Sequence, residues 1–266
     1  MQQVTVTAPR PEPRQLVGNI VPMFIRSHSK PATITGQLAR WRVGICPLVR
    51  GLSPAFNDFI SARVQAIAAT VGVPEEKAEH CKQNVQIIFT TEPQKVLEDV
   101  VKHYTWMLGY HHVSQERRIA TFSRPIQAWY VTATRGGFGE EYIDDVFGSP
   151  PPGLLGSRLT TGQSTSVVFV LIVADTSQIE GFTIGSISDY AAMVALSQPQ
   201  SLDGCSELPS IVDLLSSTCA AGAKSEAMTA GDIAYLRALY STYMEQPLSL
   251  QRSDIRNKMM QEFGVR

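Results

Sequence analysis

Acidic side chains in turns and clusters are the residues of this chain best suited to chemistry. Asp175 opens Asp175-Thr176-Ser177, directly after an apolar run. A carboxylate in such a turn does acid–base work when it shares a proton with a second one, so a single copy per chain would require a homodimer. Glu140, Glu141, Asp144 and Asp145 form another group. Paired carboxylates at that spacing hold a hard cation or serve as acid and base, and a cluster of this kind also reads as the solvated face of a helix. Ser27-His28-Ser29-Lys30 has the SxxK spacing of serine acyl-transferases. That chemistry needs both residues on one helical turn, and Pro31 with its polar surroundings argues against a helix. His111-His112 follows Gly109 in an expected loop, and adjacent histidines point in different directions, which makes them weak metal ligands. Arg135-Gly136-Gly137-Phe138-Gly139 lacks the GK[ST] of a phosphate cradle and reads as a turn.

The elements that must position these residues follow from hydrophobic period. Ser53-Pro54 opens a helix whose apolar stripe is Phe56, Phe59, Ile60, Val64, Ile67 and Val71, ended by Gly72 and Pro74. Asn84–Thr90 reads as a strand, and Thr91-Glu92-Pro93-Gln94 as a capping box for a helix striped by Val96, Val100, Val101, Tyr104 and Leu108. Short strands are expected at Ile20–Ile25 and Trp41–Val49, and a longer one at Ile126–Thr134. Ser166–Ala174 is a continuous β-branched run, the pattern of a strand covered on both faces. A loop and an apolar helix carry the chain on to Gln198, and a further helix spans Met228–Tyr240. Residues 148–165, rich in Pro, Gly, Ser and Thr, read as a long loop or hairpin tip. Beyond Pro247, Ser253–Phe263 places Ile255, Met259, Met260 and Phe263 on one side, a face for its own domain or another subunit.

Bulk properties narrow the function classes. With 266 residues, 44% hydrophobic and 18% charged, the chain can bury one large core. A formal charge of -1, from 23 basic and 24 acidic residues, gives no footprint for nucleic acid or an anionic membrane. The longest apolar run, Val167–Ala174, is too short to span a bilayer. Residues 1–20 read as a flexible Pro-containing arm in which Val4-Thr5-Val6-Thr7 alternates, as a strand added to a partner's sheet edge would. Gln2–Pro13 has the character of a segment following a removed secretory signal. Four cysteines permit three pairings; Cys46–Cys81 and Cys205–Cys219 are favoured because each pair brackets one structural unit, with four buried thiols as the alternative. The expected location is periplasmic or secreted.

The carboxyl-terminal half carries a resemblance. Met228-Thr229-Ala230-Gly231-Asp232-Ile233, with Leu236, Leu239 and Tyr240, matches the form L-[ST]-x-x-D-[IV]-x-x-[IL]-x-x-L-Y. Pro209-Ser210-Ile211-Val212 stands where that pattern has a Ser-Ile-Met turn, and Ser188–Leu196 stands where it has a helix bearing HExxH. On these residues the chain resembles the zincin metallopeptidases of the metzincin type, moderately over 166–240 and loosely over 45–243. It is similar to a bacterial family of unknown function with that layout and no HExxH. The resemblance implies an α+β fold over residues 21–245, with a mixed sheet, an amino-terminal backing helix, a degenerate active-site helix and a closing helix. Residues 1–20 and 246–266 would be appendages.

The same alignment removes the metal. The two helix histidines fall at Asp189 and Met193, the general-base glutamate at Tyr190 and the third ligand near Pro199, and residues 176–202 contain no histidine. Zinc hydrolysis needs three ligands and a carboxylate for the bound water, so neither metal nor cofactor is expected. The helix would persist as packing, with Ile184, Ile187, Ala191, Val194 and Ala195 against its neighbours and Met193 filling the metal's space. Asp189 would sit near its amino end, needing a partner if buried. The expected function is that of a non-catalytic, exported binding or assembly component, acting on a protein partner or on itself. The alternative is a hydrolase using Asp189 with Tyr190, or Asp175, as acid and base.

Overall fold

The computed structural model describes residues 16–75, 81–137, 139–144, 156–157 and 160–265. Its strands are β1 (Ala39–Trp41), β2 (Pro47–Arg50), β3 (Val85–Thr90), β4 (Ile126–Arg135), β5 (Glu141–Asp144) and β6 (Ser164–Asp175). Its helices are α1 (Val21–His28), α2 (Pro54–Val71), α3 (Pro93–His103), α4 (Glu116–Ile119), α5 (Ile184–Leu196), α6 (Ala230–Ser241) and α7 (Leu248–Glu262). The result is an α+β molecule with one open, mixed sheet.

The β-branched run foreseen at Ser166–Ala174 lies at the centre of that sheet. Strand order is β2-β3-β6-β4-β5. One edge of β6 is shared by two parallel partners, β1 at Thr165–Val167 and β3 at Val170–Asp175. The other edge takes β4 antiparallel along its length. Both faces are covered, which is why the strand is apolar at almost every position. Val170, Ile172 and Ala174 face the larger core, with residues of α1, α2, α5, α6 and α7. Phe169, Leu171 and Val173 face a smaller one built with Leu97 and Val100 of α3 and Trp129 of β4.

α2 starts after Ser53 with Pro54 in its first turn and stops at Gly72, whose φ of 90° suits a residue without a β-carbon. Phe56 and Phe59 of its expected stripe stand half exposed while Ile60, Val64, Ile67 and Val71 are buried. Ile255, Met259 and Met260 of α7 enter the larger core, so that helix docks on its own chain. Cys46 pairs with Cys81 and Cys205 with Cys219, at Cα separations of 5.9 and 5.1 Å. Among the described residues no helix is long and apolar enough to cross a membrane.

Several local expectations are corrected. Ile20–Ile25 is not a strand: Val21, Phe24, Ile25 and His28 recur at helical spacing and are buried on one side of α1, and Pro22 is tolerated in its first turn. Trp41–Val49 is two short strands, β1 and β2, separated by a loop. Thr91 does not cap α3, which begins after Glu92 without a side-chain cap bond. The Glu140–Asp145 cluster does not lie on a helix: Glu141–Asp144 is β5, hairpin-paired with Thr132–Arg135, and Asp145 lies outside the described residues. Val4–Thr7 and most of the 148–165 tip also lie outside them.

α5 is buried from Ser186 to Leu196, so its carboxyl end has no water to satisfy its last carbonyls. Side chains from three other elements do so. Tyr130 of β4 donates to the Val194 carbonyl at 2.8 Å, Trp41 of β1 donates its indole N–H to Ala195 at 2.8 Å, and Tyr240 of α6 donates to Leu196 at 2.9 Å. Met193 receives the Ser197 hydroxyl at 2.7 Å and its backbone N–H at 3.0 Å. Tyr240→Phe would strand a buried carbonyl, and a loss of about 1–3 kcal/mol in urea unfolding is expected.

Candidate functional site

Asp189 sits in the first half of α5, almost fully buried, and its charge is taken up by structure. Arg63 of α2 meets it in a two-pronged contact, Nε to Oδ1 at 2.6 Å and Nη2 to Oδ2 at 3.1 Å. The backbone N–H of Met228 donates to Oδ2 at 2.8 Å. One carboxylate thus fastens α5 to α2 and to the residues leading into α6. The short contact with Asp189 holds the Arg63 guanidinium above its ordinary range. Tyr190 and Met193 are packed in the larger core. Burial pushes the Tyr190 phenol far above its usual value, which leaves it un-ionised at neutral pH.

Asp175 is engaged locally. At the end of β6 it accepts from the Ser177 hydroxyl at 2.6 Å, the Ser177 backbone N–H at 3.0 Å and the Gln178 amide at 2.7 Å. The Ser177 hydroxyl above all holds its carboxyl below the ordinary range. Asp175 and Asp189 share no hydrogen-bond partner, so the structure does not bring these carboxylates into one acid–base pair. Asp144 is buried and accepts from Thr132 at 2.6 Å and Thr134 at 2.8 Å. Among the described residues no group of three His, Cys, Asp or Glu side chains is placed to hold a metal ion.

The structure joins residues that spacing gave no reason to connect. The Ser210 hydroxyl donates to Asp232 Oδ1 at 2.6 Å, and His28 Nε2 lies 2.9 Å from the same hydroxyl. Asp232 Oδ2 accepts from the backbone N–H groups of Ile211 and Thr229, each at 2.9 Å. All three side chains are buried. This has the residue types of a nucleophilic triad, but the serine lies between histidine and aspartate, donating to the carboxylate. The group ties α1, the Ser210 turn and α6 together. Burial draws His28 below its ordinary 6.5, with the Asp232 carboxylate and the Phe24 carbonyl opposing more weakly. The sequence clue was the Thr229-to-Asp232 capping box, visible within the closing pattern; His28 is 182 residues from Ser210 and gave none. In the SxxK stretch, α1 ends at His28, so Ser27 and Lys30 do not share a helical turn.

An accessible site lies along the outer edge of β4. β5 covers that edge only from Thr132 to Arg135, and no strand among the described residues covers Ile126–Val131. A cavity of about 390 Å³ follows the open part. It is lined by Gln127–Tyr130 and Thr132 of β4, by Lys30, Ala32, Thr33 and Ile34, by Gln198, Pro199, Gln200 and Leu202, and by Leu108, Tyr110, Arg118 and Arg124. Gly109 approaches the Tyr130 carbonyl so closely that a β-carbon would stand 2.0 Å from its oxygen. That carbonyl therefore points away from β6, and by strand alternation Ala128 presents its backbone N–H and C=O to the groove. Arg124 pairs with Asp203 at 2.6 Å, while Lys30 and Arg118 are exposed and no carboxylate is among the described lining residues. Gln198 Oε1 is a buried acceptor without a hydrogen-bond partner. Sequence reasoning missed this groove because its walls come from five separate segments.

Two measurements test these assignments. Arg63→Met would leave Asp189 as an unpaired buried charge, and a loss of about 3 kcal/mol in urea unfolding is expected, most of it recovered in the Arg63→Met, Asp189→Asn double variant. For His28 the folded state binds fewer protons than the unfolded one at pH values just under 6.5. Stability should therefore rise with pH through that window and level off above it, and His28→Gln should flatten that part of the profile.

No protein-family model, no curated protein and no solved structure matches this chain, so its site is read from its own geometry.

Proposed function

We propose that this chain is a non-catalytic, exported binding component built on a zincin-like scaffold without its metal, and that it takes an extended acidic peptide segment into the groove along β4. The observation that carries the reading is the stretch of strand edge left uncovered by β5 and flanked by the exposed Lys30 and Arg118, with no carboxylate among the described lining residues and Arg124 already paired with Asp203. An extended peptide adds its backbone hydrogen bonds to such an edge, and its side chains then meet whatever charge the walls carry.

The scaffold reading is supported by α5 being buried with its last carbonyls matched by Tyr130, Trp41 and Tyr240, and by Met193 buried where the resemblance would put a ligand. Two disulfides fit an oxidising compartment. For the hydrolase alternative the geometry offers little: Asp189 is held by Arg63 and Met228, Asp175 by its own turn, and the Tyr190 phenol is buried.

Fluorescence polarisation with extended peptides of matched length tests the function. Glu- and Asp-containing peptides should bind and Lys-containing ones should not. Lys30→Glu with Arg118→Glu should weaken the acidic peptides at least about tenfold and remove most of the salt dependence. Equal binding of both peptide classes, or none, would overturn the groove assignment. Stoichiometric zinc in protein purified without chelator would overturn the metal-free reading.

A further inference from the structure

Away from the groove, the cleft between α1 and α7 holds a second cavity, of about 360 Å³. Three arginines surround it: Arg26 on α1, and Arg252 and Arg256 one turn apart on α7. Among the described residues no carboxylate lines it, and neither Arg26 nor Arg256 forms an ion pair. Like charges gathered around one hollow repel unless something negative sits between them. Arg252 registers that repulsion, its guanidinium held below its ordinary range by burial first and by the Arg26 charge next. It is also locked in place, donating from Nη2 to the Ser29 carbonyl at 2.9 Å and from Nε to the Ser29 hydroxyl at 3.3 Å.

Two further features sharpen the chemistry. The first residues of α7, Leu248 and Ser249, line the cavity; the helix has neither a side-chain cap nor an acid in its first turn. Its free N–H groups and partial positive charge add to the arginines and the Ser249 hydroxyl. Ile25 and Leu248 supply an apolar surface beneath the charged rim. A carboxylate would satisfy one guanidinium fork, whereas a phosphate presents three terminal oxygens to several donors at once.

The geometry points to a binding site for a phosphate monoester carrying an apolar group, its phosphate among Arg26, Arg252 and Arg256 and its apolar part on Ile25 and Leu248. This site is independent of the β4 groove and of the scaffold reading. A soluble ester and the headgroup of an anionic lipid share this chemistry.

Isothermal titration of the full chain with hexyl phosphate, inorganic phosphate and hexanol tests it. Hexyl phosphate should bind more tightly than inorganic phosphate, and hexanol should not bind detectably. Arg26→Gln with Arg256→Gln alters exposed side chains without hydrogen-bond roles in the fold, and should weaken hexyl phosphate at least about tenfold while leaving the unfolding midpoint in place. Co-sedimentation with vesicles of phosphatidylcholine alone or with added phosphatidic acid separates the sources. Capture by the acidic vesicles alone supports a lipid headgroup, and hexyl phosphate binding without vesicle capture supports a soluble ester. Hexyl phosphate affinity unchanged in the double variant, or no binding in either arm, overturns the site.

Discussion

A helix end shut away from water must find its hydrogen-bond donors inside the protein. α5 is in that position, and the placement of much else follows from it. Its last four carbonyls, Met193 to Leu196, are answered by Ser197, Tyr130, Trp41 and Tyr240. These donors come from the following turn, β4, β1 and α6, so meeting one local need fixes the helix against two strands and another helix. A buried unmet carbonyl costs about 1–3 kcal/mol, a large share of the 5–15 kcal/mol that separates folded from unfolded chains. The aromatic rings also fill volume, which joins polar satisfaction to core packing in the same residues.

The same accounting explains why the acids with the most suggestive positions are held by structural partners. A carboxylate in the core is tolerated when charge and hydrogen bonds surround it, and such a group is then unavailable to a substrate. Asp189 answers Arg63 and Met228, Asp232 answers Ser210 and two backbone N–H groups, and Asp144 answers two threonines. Unspent polar capacity lies instead at the margin of the sheet, where β5 ends early, and at the amino end of α7.

How far the sequence foretold this depended on the range of the interactions concerned. β6, α5 and α6 were legible because a continuous β-branched run, an apolar helical run and the Met228–Tyr240 pattern are all local signals. Bracketing also served for Cys205 and Cys219, which are 14 residues apart. Ile20–Ile25 failed because a six-residue window hides the spacing that His28 completes. The acids at 140–144 failed because pairing with Thr132–Arg135 outweighs a charge pattern that has no period of its own. His28 with Ser210, and the walls of the β4 groove, are set by contacts between distant segments, for which one sequence contains no local trace.

Net charge is a sum over the chain and says little about any one cleft. A balance of 23 basic and 24 acidic residues reads as a neutral surface only if both signs share that surface. Here Asp144, Asp175, Asp189, Asp213 and Asp232 are buried, while among the described residues no lysine or arginine is. Acids drawn inward as hydrogen-bond acceptors leave the exterior more cationic than the sum suggests, and that excess is gathered where Lys30 and Arg118 flank the strand edge and where Arg26 faces Arg252 and Arg256. Potential at a cleft depends on the charges lining it and on the low-dielectric walls around them, not on the total carried by the chain. A nearly neutral protein can therefore carry cationic side chains gathered around a cleft while aspartates elsewhere in the chain are buried in its core.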